Sequence, residues 1–267
     1  PPQIKELLNQ YSQRKILPML EQNVYGKVRL EPFLVFNNTD CNVEYRIGYD
    51  KMYILKDVFG FAHRMENSED FSYGKKLEFQ HIPEAFAEDS LPVVRFIETW
   101  VRKNRNNYTR PIYYNSYYTY STPKVRVMSL TTDELEQFII SMGDREFGAV
   151  VAGSRENIWK VTDKKIDYLV RIKPKNDGIE IKVPDFTGVK CTNYYFFFRN
   201  GFIYKVDIKQ WEKVEEFITC MNRLPDKTAY IDKDDIREFC NNLLPAMKES
   251  FRCEMIHFDE KEYEIPH

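Results

Sequence analysis

Tyr194-Tyr195-Phe196-Phe197-Phe198-Arg199-Asn200-Gly201-Phe202-Ile203-Tyr204-Lys205-Val206 places two runs of aromatic and β-branched residues on either side of Asn-Gly. Such residues suit a pleated, half-buried surface, and Asn-Gly supplies the two left-handed backbone positions of a tight turn. The stretch predicts an antiparallel hairpin. Upstream, Asn176-Asp177-Gly178 separates the strand-like runs 168–172 and 179–183 and predicts a second hairpin. With the run 159–161 in front of them, residues 158–206 read as a succession of hairpins.

The first half of the chain carries a similar pattern. Val28, Leu30, Phe33 and Val35 lead through Asn37-Asn38-Thr39-Asp40 into Val43, Tyr45 and Ile47, and Tyr49-Asp50-Lys51 turns the chain into Met52 to Leu55. This alternation predicts a three-strand meander. A short helix follows, with Val58, Phe59, Ala62 and Met65 on its apolar face. The clearest amphipathic signal is Val93, Phe96, Ile97, Trp100 and Val101, preceded by a cap at Asp89 or Ser90 and by Pro92 in the first turn. The Asn-rich run after Arg102 should end that helix.

Thr131-Thr132-Asp133-Glu134-Leu135 predicts a further capped helix that runs to Met142 and stops at Gly143. Two more close the chain. One covers 208–224 with Trp211, Val214, Phe217, Ile218 and Met221 inward; the other is capped at Asp232 and runs through Ile236, Phe239 and Leu243 to Pro245. A helical face is also spaced along 4–20. The fold class is α+β, antiparallel β meanders and hairpins packed with about five helices. The change in pattern divides the chain into an N-terminal α+β part, 1–110, and a hairpin-rich part, 111–267, closed by two helices.

Lys and Arg total 39 against 41 Asp and Glu, a formal charge of −2, which excludes a domain whose entire surface grips nucleic acid. Hydrophobic residues at 43% and charged residues at 30% exclude low-hydrophobicity disorder, and no run of about 18 apolar residues predicts a membrane span. Cys41, Cys191, Cys220, Cys240 and Cys253 are odd in number and widely spaced, the pattern of reduced thiols in a cytoplasmic setting. With Pro1-Pro2 at the start and Met19 as the first methionine, the chain reads as an excised or processed segment.

Catalytic motifs fail when tested. Gly143-Asp144-Arg145-Glu146-Phe147-Gly148 has the glycine spacing of a phosphate loop, but Ala149-Val150 stand where Lys and Ser or Thr are needed. Gly153-Ser154-Arg155 lacks the second glycine of a nucleophile elbow. Asp259-Glu260-Lys261-Glu262 has no apolar strand before it, and Asp232, Asp234 and Asp235 fit a helix start better than a magnesium or nuclease site. His63 and His81 have no partner by spacing, and the four histidines show no ligand pattern with cysteine. The expectation is no catalytic residue, no metal ligand and no cofactor in this segment.

One local run points to nucleic acid. Arg102, Lys103, Arg105 and Arg110 enclose Tyr108 and precede the tract Tyr113-Tyr114-Asn115-Ser116-Tyr117-Tyr118-Thr119-Tyr120, so cations that neutralise phosphates sit beside rings that stack on bases. The opposing reading is a solvated helix end followed by an aromatic strand that packs into the core.

Leu30-Glu31-Pro32-Phe33-Leu34-Val35-Phe36, then Val43-Glu44-Tyr45-Arg46-Ile47-Gly48, then Lys51-Met52-Tyr53-Ile54-Leu55-Lys56-Asp57 resembles the opening of the bacterial SNF helicase-associated domain. Tyr73-Gly74-Lys75-Lys76-Leu77-Glu78-Phe79 and Ala85-Phe86 are similar to its next blocks, so the resemblance covers about 28–103. It implies a non-catalytic accessory domain of a bacterial Swi/Snf-type DNA-dependent ATPase or helicase, lying between a SWIM-type zinc finger and the motor. It also implies that the segment positions or regulates the ATPase domain of the same chain, with duplex DNA as a further partner. A scaffold that docks the helicase to another protein is the alternative, and an independent hydrolase or nuclease a third reading.

Overall fold

The computed structural model describes residues 24–263 apart from 38–39, 115–116, 122, 165–168 and 186, and gives only the strands within 110–121. The helical face expected over 4–20 therefore lies outside the described residues. Two compact units divide the chain, Pro1–Val150 and Val151–His267. Residues 111–150, grouped by composition with the hairpin-rich half, fall in the first of them.

In the first unit the meander forms as expected. Strands β1 (Arg29–Phe36) and β2 (Cys41–Gly48) pair antiparallel, and β3 (Met52–Ile54) runs antiparallel to β2 on its other edge. Every second residue of β1 is buried, including Leu30 and Leu34, and Val43, Tyr45 and Ile47 of β2 are buried likewise. Helix α1 (Val58–Asn67) starts where Asp57 accepts the Gly60 N–H at 3.0 Å. Its face buries Val58, Phe59, Ala62 and Met65, with Phe61 in addition. A hairpin of β4 (Asp70–Gly74) and β5 (Leu77–Gln80) comes next.

Helix α2 (Leu91–Tyr108) departs from expectation at both ends. Ser90 precedes it but does not cap it, because the Ser90 hydroxyl accepts the Leu30 N–H at 3.1 Å and donates to Asp89 Oδ1. The Asn-rich run continues the helix instead of breaking it. Asn104 donates to the Trp100 carbonyl and Asn107 to Asn104 Oδ1, so the side chains bond along the helix, and Thr109 closes it on the Arg105 carbonyl. Strands β6 (Arg110–Tyr114) and β7 (Tyr117–Ser121) then pair as a hairpin, and the two-residue β8 (Met128–Ser129) joins the edge of β2.

Helix α3 (Thr132–Met142) has the predicted capping box: Thr131 Oγ1 accepts the Glu134 N–H and Glu134 accepts the Thr131 N–H. Gly143, at φ 53°, ends it in the left-handed region that favours glycine. Phe138 of α3 meets Phe96 of α2 and Phe147 of β9 (Glu146–Val151), with ring centroids 5.6 and 5.7 Å apart. Arg145 donates to the carbonyls of Leu30 and Asp89. These contacts explain why residues beyond 110 belong to the first unit.

The second unit holds two sheets. One has the order β13 (Thr187–Lys190), β14 (Tyr194–Arg199), β15 (Phe202–Asp207), β10 (Asn157–Thr162); the other β16 (Thr228–Ile231), β12 (Gly178–Lys182), β11 (Leu169–Lys175), β17 (Arg252–Met255). Both predicted tight turns form, with Asn176, Asn200 and Gly201 at positive φ. The simple succession of hairpins does not. The strands β10 and β11 lie in different sheets, β10 parallel to β15 and β11 parallel to β17, because each returns to a partner distant in sequence.

The closing helices are also subdivided. The span 208–224 breaks into α4 (Ile208–Glu212) and α5 (Glu215–Arg223), though Trp211, Val214, Ile218 and Met221 all face inward. The last helix does not stop at Pro245. After α6 (Ile236–Glu238) comes a π-helical turn, Phe239–Leu243, in which the Leu244 N–H bonds the Phe239 carbonyl, and α7 (Leu244–Ser250) carries Pro245 in its first turn. The wider turn admits the proline ring and needs no N–H from it. The unit's core draws Val170, Ile172, Ile179 and Ile181 from one sheet and Tyr195, Phe197 and Tyr204 from the other, under Trp211, Leu244 and Met247 of the helices.

Candidate functional site

The last two turns of α2 carry the basic residues that sequence singles out, and the helix sends them in different directions. Arg102 and Arg105, three apart, share one face and line a cleft of about 430 Å³ with Ala62 and Glu66 of α1 and with Glu98 and Val101 of α2. Arg105 pairs with Glu66 at 3.7 Å. Burial, with Glu66 nearby, raises the Glu98 carboxyl, against which Arg102 and Arg95 act. Lys103 turns away toward α3 and sits 3.4 Å from Glu134.

Glu134 is 3% exposed and ties the start of α3 to α2. It accepts the Thr131 N–H at 3.0 Å and the Asn104 side-chain amide at 2.8 Å. Burial alone would raise its carboxyl; the Thr131 and Asn104 hydrogen bonds and the Lys103 charge outweigh that and hold it below the usual carboxylate range. Tyr108 packs its ring against Phe59 and Trp100, with centroids 5.3 and 5.6 Å away. Thus Arg102 and Arg105 come together, while Lys103 and Tyr108 are directed to structural partners. The side chain of Arg110 and the rings of the tract 113–120 lie outside the described residues.

A second cleft in the same unit, about 680 Å³, is not signalled by any sequence motif. Tyr53 of β3 and Phe71 and Tyr73 of β4 supply its rings; Lys56, Arg64 and Lys124 supply charge. Gly74 explains how close the β4 strand comes to β3, since a Cβ there would stand 2.6 Å from Tyr53 Cε1. The Arg64 guanidinium lies 3.8 Å from the Phe71 ring centroid, a cation–π contact. The Val58 N–H bonds the Val125 carbonyl at 2.8 Å and so fixes the segment bearing Lys124 beside α1.

Behind that wall sits His81, fully buried. Its Nδ1 is 3.1 Å from the Glu69 carbonyl, which only accepts, so Nδ1 carries the proton and Nε2 accepts from the Tyr73 hydroxyl at 2.6 Å. Phe79 stacks on the imidazole with centroids 4.6 Å apart. Burial first, and the charge of Arg64 second, depress the His81 pKa from 6.5 to about 4. Tyr73 is pushed up by burial, with Arg64 acting against the shift. His81 is thus a neutral core residue that orients Tyr73.

The remaining candidates have local structural roles. Arg145, in the phosphate-loop look-alike, binds backbone carbonyls, and Ser154 accepts the Val151 N–H in a turn. Asp232 accepts the Asp234 N–H before α6. Among the described residues no group of three or more His, Cys, Asp or Glu is placed to hold a metal ion.

The family model described as bacterial SNF2 helicase associated matches residues 126–265, just over half of the chain. The match takes in α3, β9 and the second unit. The motifs at 28–103 that carry the resemblance lie in front of it. No curated protein and no solved structure matches the chain.

Proposed function

The chain belongs to the bacterial SNF2 helicase-associated family, and from that membership we propose that it is the non-catalytic accessory part of a Swi/Snf-type, DNA-dependent ATPase. Its partner in this reading is the motor domain of the same polypeptide, whose response to DNA it sets. The family match across 126–265 carries the proposal. The test is ATP hydrolysis, with and without duplex DNA, by the full-length protein and by a version lacking 126–265. The DNA-stimulated rate is expected to change severalfold while hydrolysis without DNA persists; equal stimulation in both proteins overturns the reading.

Duplex contact through Arg102, Lys103, Arg105, Tyr108 and Arg110 is a separable part of the proposal. Its support is accessibility: the side chains of Lys103 and Arg105 are 57% and 51% exposed despite their ion pairs. An exposed pair such as Arg105–Glu66 contributes about 0–1 kcal/mol, so a phosphate can replace the carboxylate at small cost. Arg102→Ala, Lys103→Ala and Arg105→Ala together should lower the slope of log affinity against log salt by about 0.9 for each phosphate that is no longer neutralised. An unchanged slope removes this patch from the reading.

A further inference from the structure

The Tyr53–Phe71–Tyr73 cleft differs from the rest of the first unit in how its charges are disposed. On α2, Arg105 in its cleft and Lys103 on the side toward α3 each face a carboxylate. Here Lys56, Arg64 and Lys124 line one cavity, and among the described residues none of them is in an ion pair. Asp57, the only carboxylate among the described lining residues, already accepts the Gly60 N–H as the cap of α1. The cleft therefore has a local excess of positive charge in a chain whose net charge is −2.

Its apolar side is equally specific. Phe71 remains 38% exposed with Arg64 over its ring, and Ile54 beside it is 42% exposed. Tyr53 lies under the ammonium of Lys51, 5.5 Å from the ring centroid. Flat rings, a guanidinium plane and unpaired lysines in about 680 Å³ match a ligand with one flat apolar face and one anionic end. Within a duplex the flat faces of the bases are covered by their neighbours, whereas an unpaired base exposes its own. A peptide of Asp and Glu alone satisfies the lysines but brings no aromatic plane to the rings.

We propose that this cleft binds an unpaired nucleotide of a single strand, with the base beside Tyr53 and the Arg64-covered Phe71 ring and the phosphates on Lys56 and Lys124. The binding is sequence-tolerant, because every base has a stacking face and no fixed donor–acceptor pattern is needed. The proposal stands on the cleft itself and is independent of the motor reading.

The test is fluorescence anisotropy of the whole chain with a labelled oligothymidylate about a dozen nucleotides long, a length that spans one such site. Saturable binding that weakens with salt is expected. Phe71→Ala should weaken it roughly tenfold, as loss of one stacking ring does, and Phe71→Tyr should restore it. Lys56→Ala with Lys124→Ala should lower the salt slope by about 1.4, that is, about 0.7 for each phosphate neutralised on a single strand. Phe71 is at the surface, and circular dichroism of each variant against the parent separates lost binding from lost folding. Absence of saturable binding overturns the proposal, as do variants with unchanged affinity and slope. Tighter binding of a duplex, of free thymidine monophosphate or of a polyglutamate peptide also overturns it, each naming a different occupant.

Discussion

Between pH 6.5 and about 4, folding stability is expected to fall by about 3 kcal/mol through His81 alone. The unfolded chain takes up a proton on this imidazole near its ordinary pKa of 6.5, whereas the folded chain resists until about pH 4. In that window the unfolded state binds more protons, so stability rises with pH, is complete above 6.5, and is lost as pH falls toward 4. The structural reason is specific. A charge on the buried imidazole would lose its hydration and face the Arg64 guanidinium, and the Tyr73 hydroxyl would have to turn from donor to acceptor. Urea titrations of the parent and of His81→Asn from pH 7.5 to 4 isolate the contribution from that of the carboxylates. The variant should be the less stable protein at pH 7.5, having lost the stack on Phe79, and the gap should close by about 3 kcal/mol at pH 4. Parallel pH profiles for the two proteins would show that His81 titrates normally in the fold.

The features legible in the sequence are those whose determinants are local. Asn200-Gly201 and Asn176 occupy left-handed positions because few other residues adopt them at low cost, so the turns are written where they occur. Thr131 and Glu134 bond within four residues of each other, and the capping box is legible for the same reason. What local reading misses depends on distant partners. Whether β10 pairs with the next strand, β11, or with the distant β15 is decided by the sheet, and a run of strand formers carries no mark of it. Ser90 looks like a cap until the Leu30 amide, sixty residues earlier, takes its hydroxyl. The helix through Pro245 persists only because a π-turn makes room for the ring.

The candidate site is legible to a similar degree. The cations at 102–105 stand out in sequence as a charge run, but their carboxylate partners Glu66 and Glu134 come from other helices and do not. The Phe71 cleft gives no signal at all. Its rings come from β3 and β4, its cations from α1 and two loops, and the spacing from Tyr53 to Lys124 matches no motif. His81 gives the opposite impression: an isolated histidine in sequence, it is enclosed by Phe61, Phe71, Tyr73 and Phe79 in the fold. The aromatic richness of the chain is thus largely structural, with Phe71 the exposed exception in this cluster.

The largest single mutational effect in the second unit is expected at Trp211. Its ring is 3% exposed and stacks on Tyr195 at a centroid distance of 3.5 Å and an interplanar angle of 10°, with Phe251 edge-on at 6.5 Å. Helix α4 is one and a half turns long and has too few residues to be stable by propensity, so this ring is what fastens it to β14. Trp211→Ala removes the transfer energy of the indole and leaves a void between a sheet and α7 that stiff neighbours fill poorly, a loss of about 3–5 kcal/mol. Trp211→Phe keeps a ring against Tyr195 and should recover a substantial part of it. Chemical denaturation followed by far-UV circular dichroism gives the comparison. If Trp211→Ala unfolds at the parent's denaturant midpoint, α4 is held by something other than this stack. If alanine and phenylalanine cost the same, the loss comes from the indole's outer ring and not from the packing on Tyr195. Because the family match includes Trp211 and the strands and helices packed around it, the alanine variant in the full-length protein should also reproduce the altered DNA stimulation expected on removing 126–265.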